Sequence, residues 1–127
     1  MIRSYKITTI TTSKDGISIF EEIDFVLEQR GGLFLTNQIT AKNFRIRKSN
    51  VGYTTDFHLA GDATFITIQK GSLKIELQNG ESKTFTIGES FIAQDNLADG
   101  IVFNYKIHGH KATVVGNESL QAIHIKL

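Results

Sequence analysis

Between residues 57 and 88 the chain is cut into short runs by Gly71, Asn79-Gly80 and Gly88, and within those runs apolar and polar side chains alternate. Leu73, Ile75 and Leu77 alternate with Ser72, Lys74, Glu76 and Gln78. A period of two puts one set of side chains in a core and the other in water, which is the signature of a half-buried strand. Asn79-Gly80 specifies a tight hairpin, because both central residues of a type I′ turn need positive φ. The same period recurs elsewhere. Phe44 and Ile46 alternate with Arg45 and Arg47, and Ile123, Ile125 and Leu127 alternate with Ala122, His124 and Lys126. On this pattern Arg45, Arg47 and Lys48 form a solvated edge, and His124 reads as a structural or exposed residue. Over residues 20–30, Ile23, Phe25 and Leu27 alternate with Glu22, Asp24 and Glu28, which favours a strand over a helix, with a turn at Gly31-Gly32. Gly116 before Asn117-Glu118 marks another turn. Many short strands separated by glycine turns specify an all-β sandwich or barrel. The chain has no proline, so Gly, Asn and Asp must make its turns.

A length of 127 residues suits one domain spanning residues 1–127, with a single core. Lys and Arg number 14 against 13 Asp and Glu, so the basic excess expected of a nucleic-acid binder is missing. There is no cysteine, which excludes disulfides and thiolate ligands. The N-terminal stretch has no continuous apolar core of a signal peptide, and no window reaches the ~20 apolar residues of a membrane helix. The expectation is a soluble cytoplasmic protein with no nucleic-acid or membrane partner.

Around His58 the spacing becomes specific. Gly52, His58 and Gly71 stand at the intervals of the motif G-x5-H-x-H-x3,4-E-x6-G, with Ala60 at the second His position and Thr64 at the Glu position. Gly80 and Gly88 then match the opening of G-x5-P-x-G-x2-H-x3-N, with Thr86 for Pro, Phe91 at the His position and Asp95 at the Asn position. A looser register takes a second histidine from further on, in His108-Gly109-His110, followed by Thr113, Val115 and a closing apolar strand. Asp15-Gly16-x-Ser18-x-Phe20 also fits. These motifs resemble the cupin superfamily. The resemblance implies a double-stranded β-helix (jelly-roll) barrel: an N-terminal strand arm over residues 1–42, a barrel core over 43–127, and an insertion near 96–107. The apolar character of that insertion (Ile101, Val102, Phe103, Tyr105, Ile107) calls for something to pack against.

The resemblance makes His58 a pocket residue, and alternation puts Ala60 on the same face. If Thr64 points inward, so does Ile66. His110, in the looser register, faces His58 across the barrel. The expected ligand-binding set is therefore His58, Ala60, Thr64, Ile66 and His110. A catalytic metal needs about three protein ligands. Ala60 cannot coordinate and Thr64 is a weak donor, so no cofactor is expected; a divalent metal, if bound, would use His58, His108 and His110, the last two sharing a face unless Gly109 makes a turn. Asp95, followed by Asn96, reads as a turn residue at a strand end. The fold hosts many activities. The expected function is binding of a small molecule at a degenerate metal site rather than catalysis. A metal-dependent oxygenase or isomerase is one alternative, and a structural or regulatory module with a vestigial pocket is another. The β-branched and apolar residues 4–12 and 33–39 point to a homodimer.

Overall fold

The computed structural model describes residues 3–127; Met1 and Ile2, the first two residues of the expected domain, lie outside it. The described residues contain eleven strands and no helix: β1 (Ser4–Thr12), β2 (Ser18–Val26), β3 (Glu28–Arg30), β4 (Leu33–Leu35), β5 (Asn43–Ser49), β6 (Thr64–Lys70), β7 (Ser72–Leu77), β8 (Ser82–Phe85), β9 (Ser90–Ala93), β10 (His110–Val115) and β11 (Leu120–Lys126). None of it is a helix long and apolar enough to cross a membrane.

One sheet of six strands has the order β2-β1-β9-β6-β11-β5, and a second of three has the order β10-β7-β8. Bridges at Thr54–Thr113 and His58–His110 add residues 54–58 to the second sheet beside β10. From β5 onward the chain winds alternately between the two sheets. β5 lies in the first, residues 54–58 in the second, β6 in the first, the β7-β8 hairpin in the second, β9 in the first, β10 in the second and β11 in the first. This alternation is the winding of a double-stranded β-helix, and the chain is a cupin-like jelly-roll barrel by its own strand order. The N-terminal arm joins it: β1 pairs antiparallel with β2 along its whole length and parallel with β9 at Thr8–Phe91, Thr9–Ile92 and Ile10–Ala93.

The interior follows from period two. Thr64, Ile66 and Ile68 of β6, Leu73, Ile75 and Leu77 of β7, Phe91 of β9 and Val114 of β10 are buried and face one another between the sheets. Phe91, which the second motif places where an imidazole would stand, is 1% exposed and stacks on Phe85 with ring centroids 4.3 Å apart. It fills the core.

One expectation is overturned. On β5 the alternation is present but its faces are exchanged: Phe44 and Ile46 are 71% and 60% exposed on the outside, while Arg45 and Arg47, themselves exposed, lie on the side of the open cavity. Alternation gives two faces but does not say which is inside, and seven pairings with β11, from Leu120–Ser49 to Lys126–Asn43, fix this choice. Residues 96–107 find no cover for their apolar side chains among the described residues. Ile101, Val102, Phe103, Tyr105 and Ile107 all remain substantially exposed. The loop is held instead at its ends, by the Asn96 N–H donating to Thr12 Oγ1 and by Gln78 Nε2 donating to the carbonyls of Tyr105 and His108.

At the end of that loop Gly109 makes a turn with φ of +84°, and a Cβ there would stand 2.5 Å from the His58 carbonyl oxygen. Gly100 has nearly the same φ but open space around it. Gly109→Ala should therefore cost about 3 kcal/mol, from backbone strain plus displacement of residues 58–60, against about 1 kcal/mol for Gly100→Ala. Urea unfolding of the two variants checks this; equal losses would show that the close approach to His58 is not a constraint.

Candidate functional site

The turn at Gly109 delivers His110 onto β10 opposite His58. Each backbone N–H of the pair donates to the other's carbonyl at 2.9 Å, and the ring centroids lie 4.5 Å apart at a tilt of 54°. The His110 ring is buried, and its Nδ1 lies 2.8 Å from Oδ2 of Asp95. His58 Nδ1 lies 2.9 Å from the Asp56 carbonyl oxygen. A carboxylate and a carbonyl only accept, so both rings carry a proton on Nδ1, and in the neutral form of either ring Nε2 is an acceptor. No fully buried side-chain nitrogen or oxygen among the described residues lacks a partner, and neither Nε2 has a protein partner, so both are open to the cavity the rings line.

Asp95 is the organising group, and the reading of it as a turn residue is corrected. Its side chain is fully buried. Oδ2 accepts from Ser18 Oγ at 2.6 Å and from His110, and Oδ1 accepts from the Ala60 N–H at 3.1 Å. Burial pushes this carboxyl up, but the hydrogen bond and charge of His110, the Ser18 hydroxyl and the Ala60 N–H together outweigh it, and the net is below the ordinary value. The missed signal is long-range: Asn96 suggests a turn locally, whereas the three donors come from β2, β10 and the loop before β6.

The cavity beside the two imidazoles has a volume of about 580 Å³ and opens to solvent. Ala60, Thr64 and Ile66 line it, as do Ala93 of β9, Asn43, Arg45 and Arg47 of β5, and His124 and Lys126 of β11. The first motif thus brings Ala60, Thr64 and Ile66 together with His58 and His110. A smaller chamber of about 80 Å³ continues inward, sharing Arg47, His58, Ile66, His110 and His124 and otherwise walled largely by apolar residues, among them Leu73, Ile75, Phe91 and Val114. Arg45, Arg47 and His124, which alternation alone assigned to solvent or to structure, are cavity residues. Burial, then the charges of Arg47, Lys126 and Arg45, push His124 down from 6.5 to about 4. His58 is also lowered, first by burial and then by His110 and Arg47, against the raising effect of its bond to Asp56 and the charge of Asp95.

His108 stands apart. The positive φ at Gly109 breaks the strand, so His108 does not share the face of His110. Its ring is buried beside Gly16 and Leu97, where Nδ1 accepts the Asn104 N–H at 2.9 Å and so closes the loop on itself. The metal set His58, His108 and His110 does not converge. Thr64 Oγ1 donates to the Asp62 carbonyl, and Asp62 lies at the surface, 3.8 Å from Lys42. Among the described residues no three His, Cys, Asp or Glu side chains are grouped as a metal ion requires, so the residues present do not fit the metal of the wider fold family.

No family model matches the chain, and no curated protein matches it. Similar chains of known structure include a conserved protein of unknown function from Streptococcus pyogenes, 15% identical with a TM-score of 0.47, over 72% of this chain and 70% of that one. A protein of unknown function from Vibrio parahaemolyticus is 13% identical with a TM-score of 0.46, over 99% of this chain and 100% of that one. The cupin domain of Cnp3 from Schizosaccharomyces pombe is 12% identical with a TM-score of 0.47, over 100% of this chain and 90% of that one. The strand winding, not these likenesses, carries the assignment of the fold.

Two predictions follow from the charges. Asp95→Ala strands three donors in the core and should cost about 3 kcal/mol, well beyond the ~1 kcal/mol of Ser18→Ala, as read from urea midpoints. The pH dependence has a definite sign. His124 binds its proton in the unfolded chain near 6.5 but in the folded one only near 4, so its contribution is complete above 6.5 and is lost as pH falls towards 4. The depressed His58 adds in the same direction, and Asp95 adds a loss only in stronger acid, below its ordinary 3.8. His124→Gln should flatten the fall in stability across the window from 6.5 to about 4; an unchanged profile would remove His124 as its source.

Proposed function

We propose that this barrel binds a small organic molecule in the cavity beside His58 and His110. The observation that supports this best is the pair of imidazoles whose Nδ1 atoms are committed to Asp56 and Asp95 while both Nε2 atoms face open space. Two fixed acceptors on rigid strands suit a ligand that donates hydrogen bonds, such as a hydroxyl group. Fixed polar groups over an apolar inner chamber are the usual anatomy of a small-molecule site. Ala60, Thr64 and Ile66 supply the wall on one side. Ala60 does so with a small side chain that leaves room where the fold family would place a ligand imidazole.

A second reading has one observation in its favour. A buried carboxylate that holds a histidine by Nδ1 is the arrangement that orients a general base, so His110 could take a proton from the bound molecule. Asp95 would then be a positioning residue. A metal-dependent oxygenase or isomerase lacks a fitting donor set here. The proposal of a homodimer draws support from the exposed Phe44 and Ile46 and from the free edge of β5, which a second copy could cover. β1 is already paired with β2 and β9, so of the stretches 4–12 and 33–39 the second is the one that stays largely exposed.

The test is a titration of the full chain with a panel of small polyols and polyol acids, followed through the imidazole nitrogens in proton–nitrogen correlation spectra. Saturable shifts at Nε2 of His58 and His110, lost in His58→Ala, are expected. Saturation without any imidazole shift would place the ligand elsewhere. For protein purified without an affinity tag, elemental analysis should find far less than one Zn, Fe, Mn or Ni per chain. A full equivalent that disappears in His58→Ala would restore the metal reading.

A further inference from the structure

The cavity wall opposite His58 and His110 is cationic and has nothing to neutralise it. Arg45 and Arg47 are two apart on β5 and so share its inner face, and Lys126 lies two residues beyond His124 on the inner face of β11. The ladder pairs Arg45 with His124, so the two strands present one continuous patch. Among the described residues the ion pairs of lysine and arginine are Lys6–Asp24, Arg30–Glu28, Lys42–Asp62 and Lys74–Glu76, and none involves Arg45, Arg47 or Lys126. The carboxylate bonded to the cavity imidazole, Asp95, is engaged by Ser18, Ala60 and His110.

The direction of β5 is a second, independent observation. A shift of register by one residue would turn Phe44 and Ile46 towards the cavity and both arginines away from it. As paired, β5 keeps both guanidinium groups on the cavity side beside a third cation, and its two large apolar side chains on the outside. A cluster of like charges around a concave surface raises the local concentration of an opposite charge, and guanidinium groups match the paired oxygens of an oxyanion.

Resting on the reading of the cavity as a binding site, we infer that its ligand is a small organic anion whose carboxylate or phosphate sits against Arg45, Arg47 and Lys126 while its uncharged end reaches the imidazoles of His58 and His110. The low proton affinity of His124 fits this arrangement. Burial first, and then the same cations that would attract the anion, keep that ring neutral, and a bound negative charge would raise its affinity for a proton.

Calorimetric titration of the full chain with glycerate, succinate and inorganic phosphate, set against glycerol and succinamide as uncharged counterparts, tests the inference. Saturable binding of at least one anion is expected, with affinity falling about tenfold or more in the Arg45→Gln/Arg47→Gln double variant and little in Lys48→Gln, and the pKa of His124 should rise in the anion-bound protein. Preference for glycerate or succinate over phosphate would assign the carboxylate as the head group, and the reverse the phosphate. The double variant should melt no lower than the parent, since it removes mutual repulsion on an edge strand; this keeps a loss of affinity distinct from a loss of fold. Uncharged probes binding as well as the anions, or an affinity indifferent to both arginines, would overturn the anionic ligand and leave the binding cavity standing. Failure of every probe to bind would overturn both.

Discussion

One buried carboxylate sets the geometry on which the candidate site depends. Asp95 takes a hydroxyl from β2, a backbone N–H from the segment before β6 and an imidazole from β10, so three parts of the chain far apart in sequence meet at two oxygen atoms. A carboxylate out of contact with water is costly unless each lone pair finds a donor. Here the donors are spread over both sheets, and satisfying the charge is the same act as closing the barrel at that end. The consequence for chemistry is that His110 has a fixed tautomer and a fixed tilt, and His58 inherits its place through the paired backbones.

Much of the architecture was legible because it rests on local signals. Glycine turns and period two marked the strands, and the spacing from Gly52 to Gly71 singled out His58 rather than merely a histidine. The site was legible only in part. His58, Ala60, Thr64 and Ile66 lie on neighbouring positions of one segment, so a motif can gather them. Arg45, Arg47 and His124 could not be gathered this way. Alternation on β5 is equally strong in either orientation, and the rule that apolar residues face inward gave the wrong one. Only pairing with β11, a long-range contact, decides between them. Asp95 failed for the same reason, since its local neighbour suggests a turn and its partners lie elsewhere. His108 shows the opposite limit: one glycine with positive φ was enough to undo a plausible pair of chelating imidazoles.

The cavity is asymmetric in chemistry because it is asymmetric in construction. One wall carries neutral acceptors on rigid strands tied into the core, and its polar atoms are committed except for two ring nitrogens. The other carries cations on a strand whose outer face is apolar and exposed. A barrel built only for stability would have neither feature. Local preference and global arrangement disagree on β5 and agree almost everywhere else, and such disagreements mark the places where a sequence answers to function.

β5 also differs from the other wall in when it can form. It has a single partner in its sheet, β11, and β11 is made after every other strand of the barrel. Residues 54–58, β6, β7, β8, β9 and β10 can pair among themselves before β5 has any ladder to join. Contacts between distant segments carry a large loop-closure cost and form late. The cationic wall therefore has no ladder to join until β11 is in place. During synthesis the two arginines travel on an unpaired, solvated strand, next to Phe44 and Ile46, until the final ladder closes.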